Sequence, residues 1–267
     1  MSNLPSIFKP LRHLMDFGTG RGRSAVSVPE GRRYYVIGDI HGRSDLVGRL
    51  HRQILADSTA VRRNMQLIAV YLGDYVDRGP DSRGVIDLLL DNPLNGFAKV
   101  YLKGNHEDAL LRFLDDPAEG RGWLGIGGLE TLLSYGVHLP QNLSPHEELE
   151  HVWAELRLRM PSEHLAFLGE LELRHEAGGY LFVHAGVRPG RPLSQQHPHD
   201  LMWIRDDFLR SRQNHGKIVV HGHSPGERPD VQDNRIGIDT TAYATDTLTC
   251  LVLERTTRRF LATRPGP

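Results

Sequence analysis

The chain has 267 residues, 39% of them hydrophobic and 24% charged, which is enough for one large α/β domain and cramped for two. Lys+Arg 32 against Asp+Glu 33 leaves a formal net charge of −1, so no overall positive field argues for nucleic acid or an anionic membrane as partner. The single cysteine, Cys250, excludes an intramolecular disulfide and a thiolate metal cage, and no apolar run reaches the roughly 18 to 20 residues that cross a bilayer. With no secretory signal pattern at the N-terminus, the expectation is a cytoplasmic protein, a monomer by default.

Residues 1–31 mix Pro, Gly, Ser and Arg without a period of 2 or 3.6 and read as a loosely ordered arm. From residue 32 to the end a single domain is expected. Short apolar runs each enter a Gly-containing turn: "YYVIGDIHG", "LIAVYLGDYVDRG", "AKVYLKGNHE", "GYLFVHAG" and "KIVVHGHSP". Helix-like stretches around Asp45–Ala56 and Ser82–Leu90 separate the first three, so this half reads as repeated β-α units, whose ligands gather beyond the carboxyl ends of strands. Residues 108–178 carry a Gly-rich "GRGWLGIGGLE" and then "SPHEELEHVWAELRLRM" and "PSEHLAFLGELEL", which open with Ser or Pro suited to helix starts; a helical insertion or cap is predicted. "RIGID", "LTCLVLE" and "RFLAT" read as closing strands.

The turns carry the chemistry. Asp39 and His41 lie two apart in the first, Asp74 and Asp77 in the second, and Asn105, His106 and Glu107 in the third, while His184 and the His221/His223 pair end two further runs. Each motif alone is ordinary loop chemistry. Five turns after strand-like runs, all bearing O or N metal ligands, point to one shared site. The remaining ten of the 15 histidines, His51, His146, His151, His197 and His199 among them, sit among polar residues and are expected to face solvent. A carboxylate shared between two cations offsets their repulsion and fixes a spacing of about 3.5 to 4 Å, a role that suits Asp74. Water held between such ions loses its proton far more readily than bulk water and becomes a strong nucleophile.

"GDIHG", "GDYVDRG", "GNHE" and "HAG", in this order over roughly residues 34–254, resemble the motifs of the metal-dependent phosphoprotein phosphatase (PPP) family within the calcineurin-like phosphoesterases. The resemblance implies an α+β, αββα fold: a central β-sandwich of mixed sheets flanked by helices, with a dinuclear metal site at the carboxyl ends of strands. It puts Asp39 and His41 on the first ion, makes Asp74 the bridge, and puts Asn105 and His184 on the second. "VVHGHSP" aligns in two ways, nominating His223 alone or His221 together with it; His223 is favoured. Arg78, Arg205 in "LMWIRDDF" and Asn105 are implied to bind phosphate. His106 would protonate the departing oxygen, with Asp77 orienting and charging it. The ligand set suits Mn²⁺, Fe²⁺/Fe³⁺ or Zn²⁺, with Mn²⁺ expected to be usable. In the family's closing Asp-Thr-Gly-Ala stretch Thr241 stands where glycine is usual, and a β-branched residue disfavours positive φ, which predicts a different turn or pocket wall there. Asp239 and Tyr243 could line the pocket from this loop.

Two activities share this catalytic core. The intact Asp77-Arg78 pair favours a phosphatase acting on phosphoserine and phosphothreonine, with phosphotyrosine a close variant, so that the partner is a phosphorylated protein or a small phosphomonoester. The alternative is a symmetrical dinucleoside tetraphosphate hydrolase. A binding module without turnover is disfavoured because no ligand is missing.

Overall fold

Alternation along the strands decides the layers. In β1 (Arg32–Ile37) Tyr34 and Val36 face one way and Tyr35 and Ile37 the other, and all four are buried, so each face of this strand packs against a separate core. The computed structural model describes residues 26–264 apart from Arg62, Arg63 and Asn142. Of the arm expected over 1–31, residues 1–25 therefore lie outside the described ones. Val28 is buried, its N–H donating to the Arg255 carbonyl at 3.0 Å, and Gly179 N–H donates to Ser27 at 2.9 Å.

After β1 come α1 (Ser44–Ser58), β2 (Gln66–Tyr71), α2 (Ser82–Leu90) and β3 (Ala98–Tyr101), with β1, β2 and β3 parallel. The sequence expectation of β-α units over this half holds, with both helices within two residues of their expected limits. Leu46, Val47, Leu50, His51 and Ile54 form the buried stripe of α1. The Asp81 side chain caps α2 by accepting from Gly84 N–H at 3.0 Å.

Helices then dominate: α3 (Asn105–Asp115), α4 (Gly120–Trp123), a wide-turn segment Leu124–Gly128, α5 (Leu129–Ser134), α6 (Pro145–Arg159) and α7 (Ser162–Gly169). Helix α6 opens with the Ser-Pro signal read in the sequence: Ser144 and Glu147 exchange side-chain and backbone hydrogen bonds in a capping box, with Pro145 in the first turn.

The second sheet follows with β4 (Arg174–Ala177), β5 (Tyr180–Val183), α8 (Pro198–Trp203), α9 (Asp206–Leu209), β6 (Ile218–His221), β7 (Asp230–Val231) and β8 (Arg235–Gly237). After α10 (Ala242–Thr245), β9 (Thr249–Glu254) and β10 (Thr257–Ala262) return to the first sheet. The sheets are ordered β10-β9-β1-β2-β3 and β4-β5-β6-β8-β7, both mixed. Tyr34, Val36, Val70 and Leu251 from one meet Tyr180, Phe182, Val220 and Ile236 from the other to make the central core. The outer face of the first sheet packs on α1, α2 and the helical segment through Tyr35, Ile37, Leu46, Val85 and Phe113. Leu181, Val183 and Val219 of the second sheet meet Leu201 and Phe208 of α8 and α9. This is the expected β-sandwich flanked by helices.

Two sequence expectations need correction. His51 and His164 are both only 2% exposed rather than solvated, because each finds an aromatic hydroxyl inside: Tyr71 for His51 at 2.8 Å and Tyr135 for His164 at 2.7 Å. Thr241 keeps positive φ (57°) despite its β-branch. Asp239 Oδ1 accepts from its N–H at 2.8 Å and its carbonyl accepts from Ala244 and Thr245, and those bonds hold the left-handed turn that glycine would adopt freely.

Candidate active site

The carboxyl ends of β1, β2, β5, β6 and β8, and the entry to α3 after β3, all open at one edge of the sandwich. From them come Asp39 and His41, Asp74 and Asp77, His184, His223, Asp239, and Asn105 with His106. Five of the nine described non-glycine residues with positive φ are candidate site residues: His41, Asp74, Asp77, Arg78 and His223. Such conformations cost about 1 to 3 kcal/mol each and persist where surrounding bonds over-determine them. The Asp74 carbonyl accepts from Ile40 and His41 N–H, at 3.0 and 2.8 Å, and so ties the first turn to the second.

Glu107 ties the second turn to the third. Buried, it accepts from the N–H groups of Asp74, Tyr75, Val76 and Gly104 at 2.7 to 3.3 Å. Gly104 is required there, since a Cβ would be driven into Asp74 Oδ1. Burial pushes the Glu107 carboxyl up to about 7.

Two ligand groups share Asp74. His41, Asp74 and His106 form one, and Asp74, His184 and His223 the other, with ligand atoms within 4.8 Å of one another in each. All five residues are buried. The histidine hydrogen bonds show what the site can hold. His184 Nδ1–H donates to the Leu72 carbonyl at 2.9 Å, and burial pushes its pKa down to about 3, so Nε2 carries a lone pair. That lone pair faces Asp74 Oδ1 at 3.4 Å and Asn105 Oδ1 at 3.0 Å, a convergence of electron donors that a cation satisfies. His223 Nδ1 approaches the same Asn105 oxygen at 2.7 Å.

His41 repeats the pattern. Its Nδ1–H donates to the Val76 carbonyl at 3.0 Å, leaving Nε2 against Asp74 Oδ2 at 3.4 Å, where Arg78 Nη1 at 3.2 Å supplies the positive charge. Burial raises the pKa values of Asp39 and Asp74 well above the carboxylate range, each aggravated by a neighbouring carboxylate, Asp239 for the first and Glu107 for the second. Asp39 lies in neither tight group; its Oδ2 accepts from His223 N–H at 2.8 Å and its buried Oδ1 has no partner among the described residues. The donors present thus fit hard or borderline cations and need their charge. His221 belongs to neither group: its Nδ1–H donates to the Gly222 carbonyl at 2.9 Å and its ring lines a separate cavity of about 250 Å³ with Ser224 and Arg235.

His106 Nδ1–H donates to Asp77 Oδ2 at 2.7 Å, and its Nε2 is buried with no hydrogen-bond partner among the described residues, 3.8 Å from Asp74 Oδ2. Burial pushes His106 down to about 3 and Asp77 up to about 7, but Asp77 also receives Trp123 Nε1–H at 2.9 Å and the Thr131 hydroxyl at 2.6 Å, which favour its carboxylate form. Arg78 is held by the "GRGWLGIGG" segment: its N–H donates to Gly127 at 3.0 Å and its Nε–H to Ile126 at 3.3 Å, with the guanidinium over the Tyr243 ring at 5.3 Å. Arg205 is exposed at the rim, and its charge lowers the pKa values of His106, His184 and His223.

Sequence reading missed Trp123, Thr131 and Gly127, and placed Glu107 in its turn without giving it a role. Trp123, Gly127 and Thr131 lie in the segment read as a helical insertion or cap, where five glycines within residues 120–128 were the available signal for a backbone that must approach another closely.

Residues 32–246 match the family model described as calcineurin-like phosphoesterase. The chain belongs to the calcineurin-like phosphoesterase family. It is accordingly a metallophosphoesterase, a hydrolase of a family with dinuclear divalent metal sites. Among curated relatives, this calcineurin-like chain is 28% identical to bis(5'-nucleosyl)-tetraphosphatase PrpE [asymmetrical] of Bacillus mycoides, over 82% of this chain and 89% of the relative. It is 26% identical to the protein of that name in Anoxybacillus flavithermus, with the same coverage. A solved structure described as a candidate diadenosine tetraphosphatase superposes with TM-score 0.59 at 20% identity, covering 90% of this chain and 98% of that one. The cold-active protein-tyrosine phosphatase of a psychrophilic Shewanella gives 0.52 at 16%, over 95% and 89%. These two likenesses show the fold. No helix among the described residues is long and apolar enough to cross a membrane.

Proposed function

We propose that this metallophosphoesterase hydrolyses dinucleoside tetraphosphates, cutting the chain asymmetrically. The observation that carries the reading is the relationship to proteins named bis(5'-nucleosyl)-tetraphosphatase, which spans 82% of this chain and 89% of theirs. It reverses the order suggested by the motifs alone, which put phosphoserine and phosphothreonine first and named the symmetrical dinucleotide cut second. A phosphoanhydride and a phosphomonoester present the same phosphoryl group to metals and arginines, so the catalytic core serves either.

Asp39, His41 and Asp74 would hold one ion, and Asp74, Asn105, His184 and His223 the other. When bound, the two ions supply positive charge at the phosphoryl oxygens and acidify the attacking water. Arg78 and Arg205 grip phosphoryl oxygens, Arg78 held in its fork orientation by Gly127, Ile126 and Tyr243, and Asn105 adds a polar contact. His106 would take a proton at Nε2 from solvent as substrate binds and pass it to the oxygen that leaves phosphorus, while the proton shed by the attacking water returns to solvent. Asp77, at 2.7 Å from Nδ1, balances the charge of the imidazolium before it gives up that proton. Water thus adds to phosphorus as the bridging P–O bond breaks, and the departing nucleotide carries the proton.

The test compares turnover of diadenosine tetraphosphate with that of matched phosphoserine, phosphothreonine and phosphotyrosine peptides, with Mn²⁺ present. ATP plus AMP as products, at a kcat/KM above that of every peptide, is expected. Two molecules of ADP would move the cut to the centre of the chain, and faster peptide turnover would restore the phosphatase reading. Elemental analysis of protein purified without added metal identifies the ions.

A further inference from the structure

On the His223 side of Asp74 a cleft of about 280 Å³ opens at the rim of the site. Trp203 lines it, half-buried at the end of α8, its ring 6.5 Å from that of His223. His199, one turn earlier and also lining the cleft, stacks on Trp203 at 6.1 Å and 16°. Arg188 forms a fixed wall, with both Asp200 oxygens and Asp207 as partners at 2.7 to 3.0 Å. Arg205 lines the cleft and its charge reaches His223, and its side chain has no hydrogen-bond or ion-pair partner among the described residues. The mouth also carries the exposed carboxylates Asp206 and Asp207, each paired through one oxygen, with Arg210 and Arg188 respectively, at 2.8 Å, which leaves the other oxygen of each to accept from a ligand.

We infer that this cleft is a nucleoside subsite, which takes one nucleoside 5'-phosphate end of the substrate with its base on Trp203, its ribose diol toward Asp206 and Asp207, and its phosphate at Arg205. The inference deepens the reading above and rests on it for the substrate class. Three chemistries meet in the order such a ligand needs. A flat apolar face suits a base, carboxylates accept from the two ribose hydroxyls, and an unpaired guanidinium suits the phosphate leading to the reaction centre. A phosphopeptide would bring no vicinal diol for acids that otherwise repel the phosphate.

Calorimetric titration of the full chain with ADP and with pyrophosphate tests it, both in Mn²⁺. ADP should bind about tenfold more tightly than pyrophosphate, the worth of one base stacked on an aromatic ring. Trp203→Ala should erase that preference while pyrophosphate affinity changes less than about threefold, and Trp203→Phe should restore most of it. Equal affinities of the unaltered protein for the two ligands, or a preference that survives Trp203→Ala, would overturn the inference. A nucleotide preference lost in Trp203→Ala together with no hydrolysis of diadenosine tetraphosphate keeps the subsite and sinks the proposed reaction.

Discussion

Asp77 shows how much one carboxylate can be asked to do. It accepts from His106, Trp123 and Thr131, and its own N–H donates to Ser82 and Thr131, so nothing in its surroundings lets it turn away from the imidazole. If His106 is the proton donor, Asp77→Asn preserves the shape and removes the charge that supports the imidazolium. The expected result is a fall in kcat of about a hundredfold on substrates with poor leaving groups, within the range of general acid catalysis. The fall should shrink towards nothing on para-nitrophenyl phosphate, whose phenolate departs unassisted. An equal loss on both substrates would assign Asp77 to shape alone. The sequence could name Asp77 and His106 as a pair because they lie in short motifs beside candidate metal ligands. It could not name Trp123 or Thr131, which reach Asp77 from 46 and 54 residues away. Single-residue reasoning has no access to partners that only folding brings near, and for the same reason His51 and His164 read as polar surface although each meets a buried tyrosine.

At the scale of elements, the segment between α4 and α5 has more influence than its composition suggests. Gly127, at φ 118°, breaks the helical path so that two successive carbonyls can meet Arg78. An added Cβ there would lie 2.7 Å from Arg78 Cγ, whereas at Gly125 it would meet nothing within 4 Å. Gly127→Ala should therefore cost about 1 to 3 kcal/mol of stability and raise KM for phosphate substrates as Arg78 shifts. Gly125→Ala should leave KM unchanged and stability equal or slightly higher, read by thermal melting and steady-state kinetics on the same preparations. Strand and helix order in the first half was legible because parallel strands buried on both faces leave continuous apolar runs, each ending at a glycine turn. The role of 120–131 was not, because a Gly-rich helical stretch has the same composition whether it caps a distant surface or buttresses an arginine. Thr241 carries a related lesson. A residue preference predicted the loss of a left-handed turn, and hydrogen bonds to Asp239, Ala244 and Thr245 kept it.

For the whole molecule, the concentration of buried acids at one edge of the sandwich couples ligand binding to folding. Asp39, Asp74, Glu107 and Asp239 are all at most 5% exposed, and burial raises the pKa of each, so the edge carries charge that is unfavourable without cations. A cation bound there at a hundred times its Kd would stabilise the native state by about 2.7 kcal/mol, which for a chain of this size moves Tm by about 5 to 10 °C. Melting with increasing Mn²⁺ should show that rise, and Asp74→Asn should lose most of it; a Tm indifferent to metal in the unaltered protein would remove the dinuclear reading. Four amides from two turns meanwhile end on Glu107 alone. Loops this close to substrate usually breathe independently, but a shared acceptor makes these open and close as a single event. Isotope labelling of the backbone would see one cooperative latch, and damage at that carboxylate would spread through both turns at once.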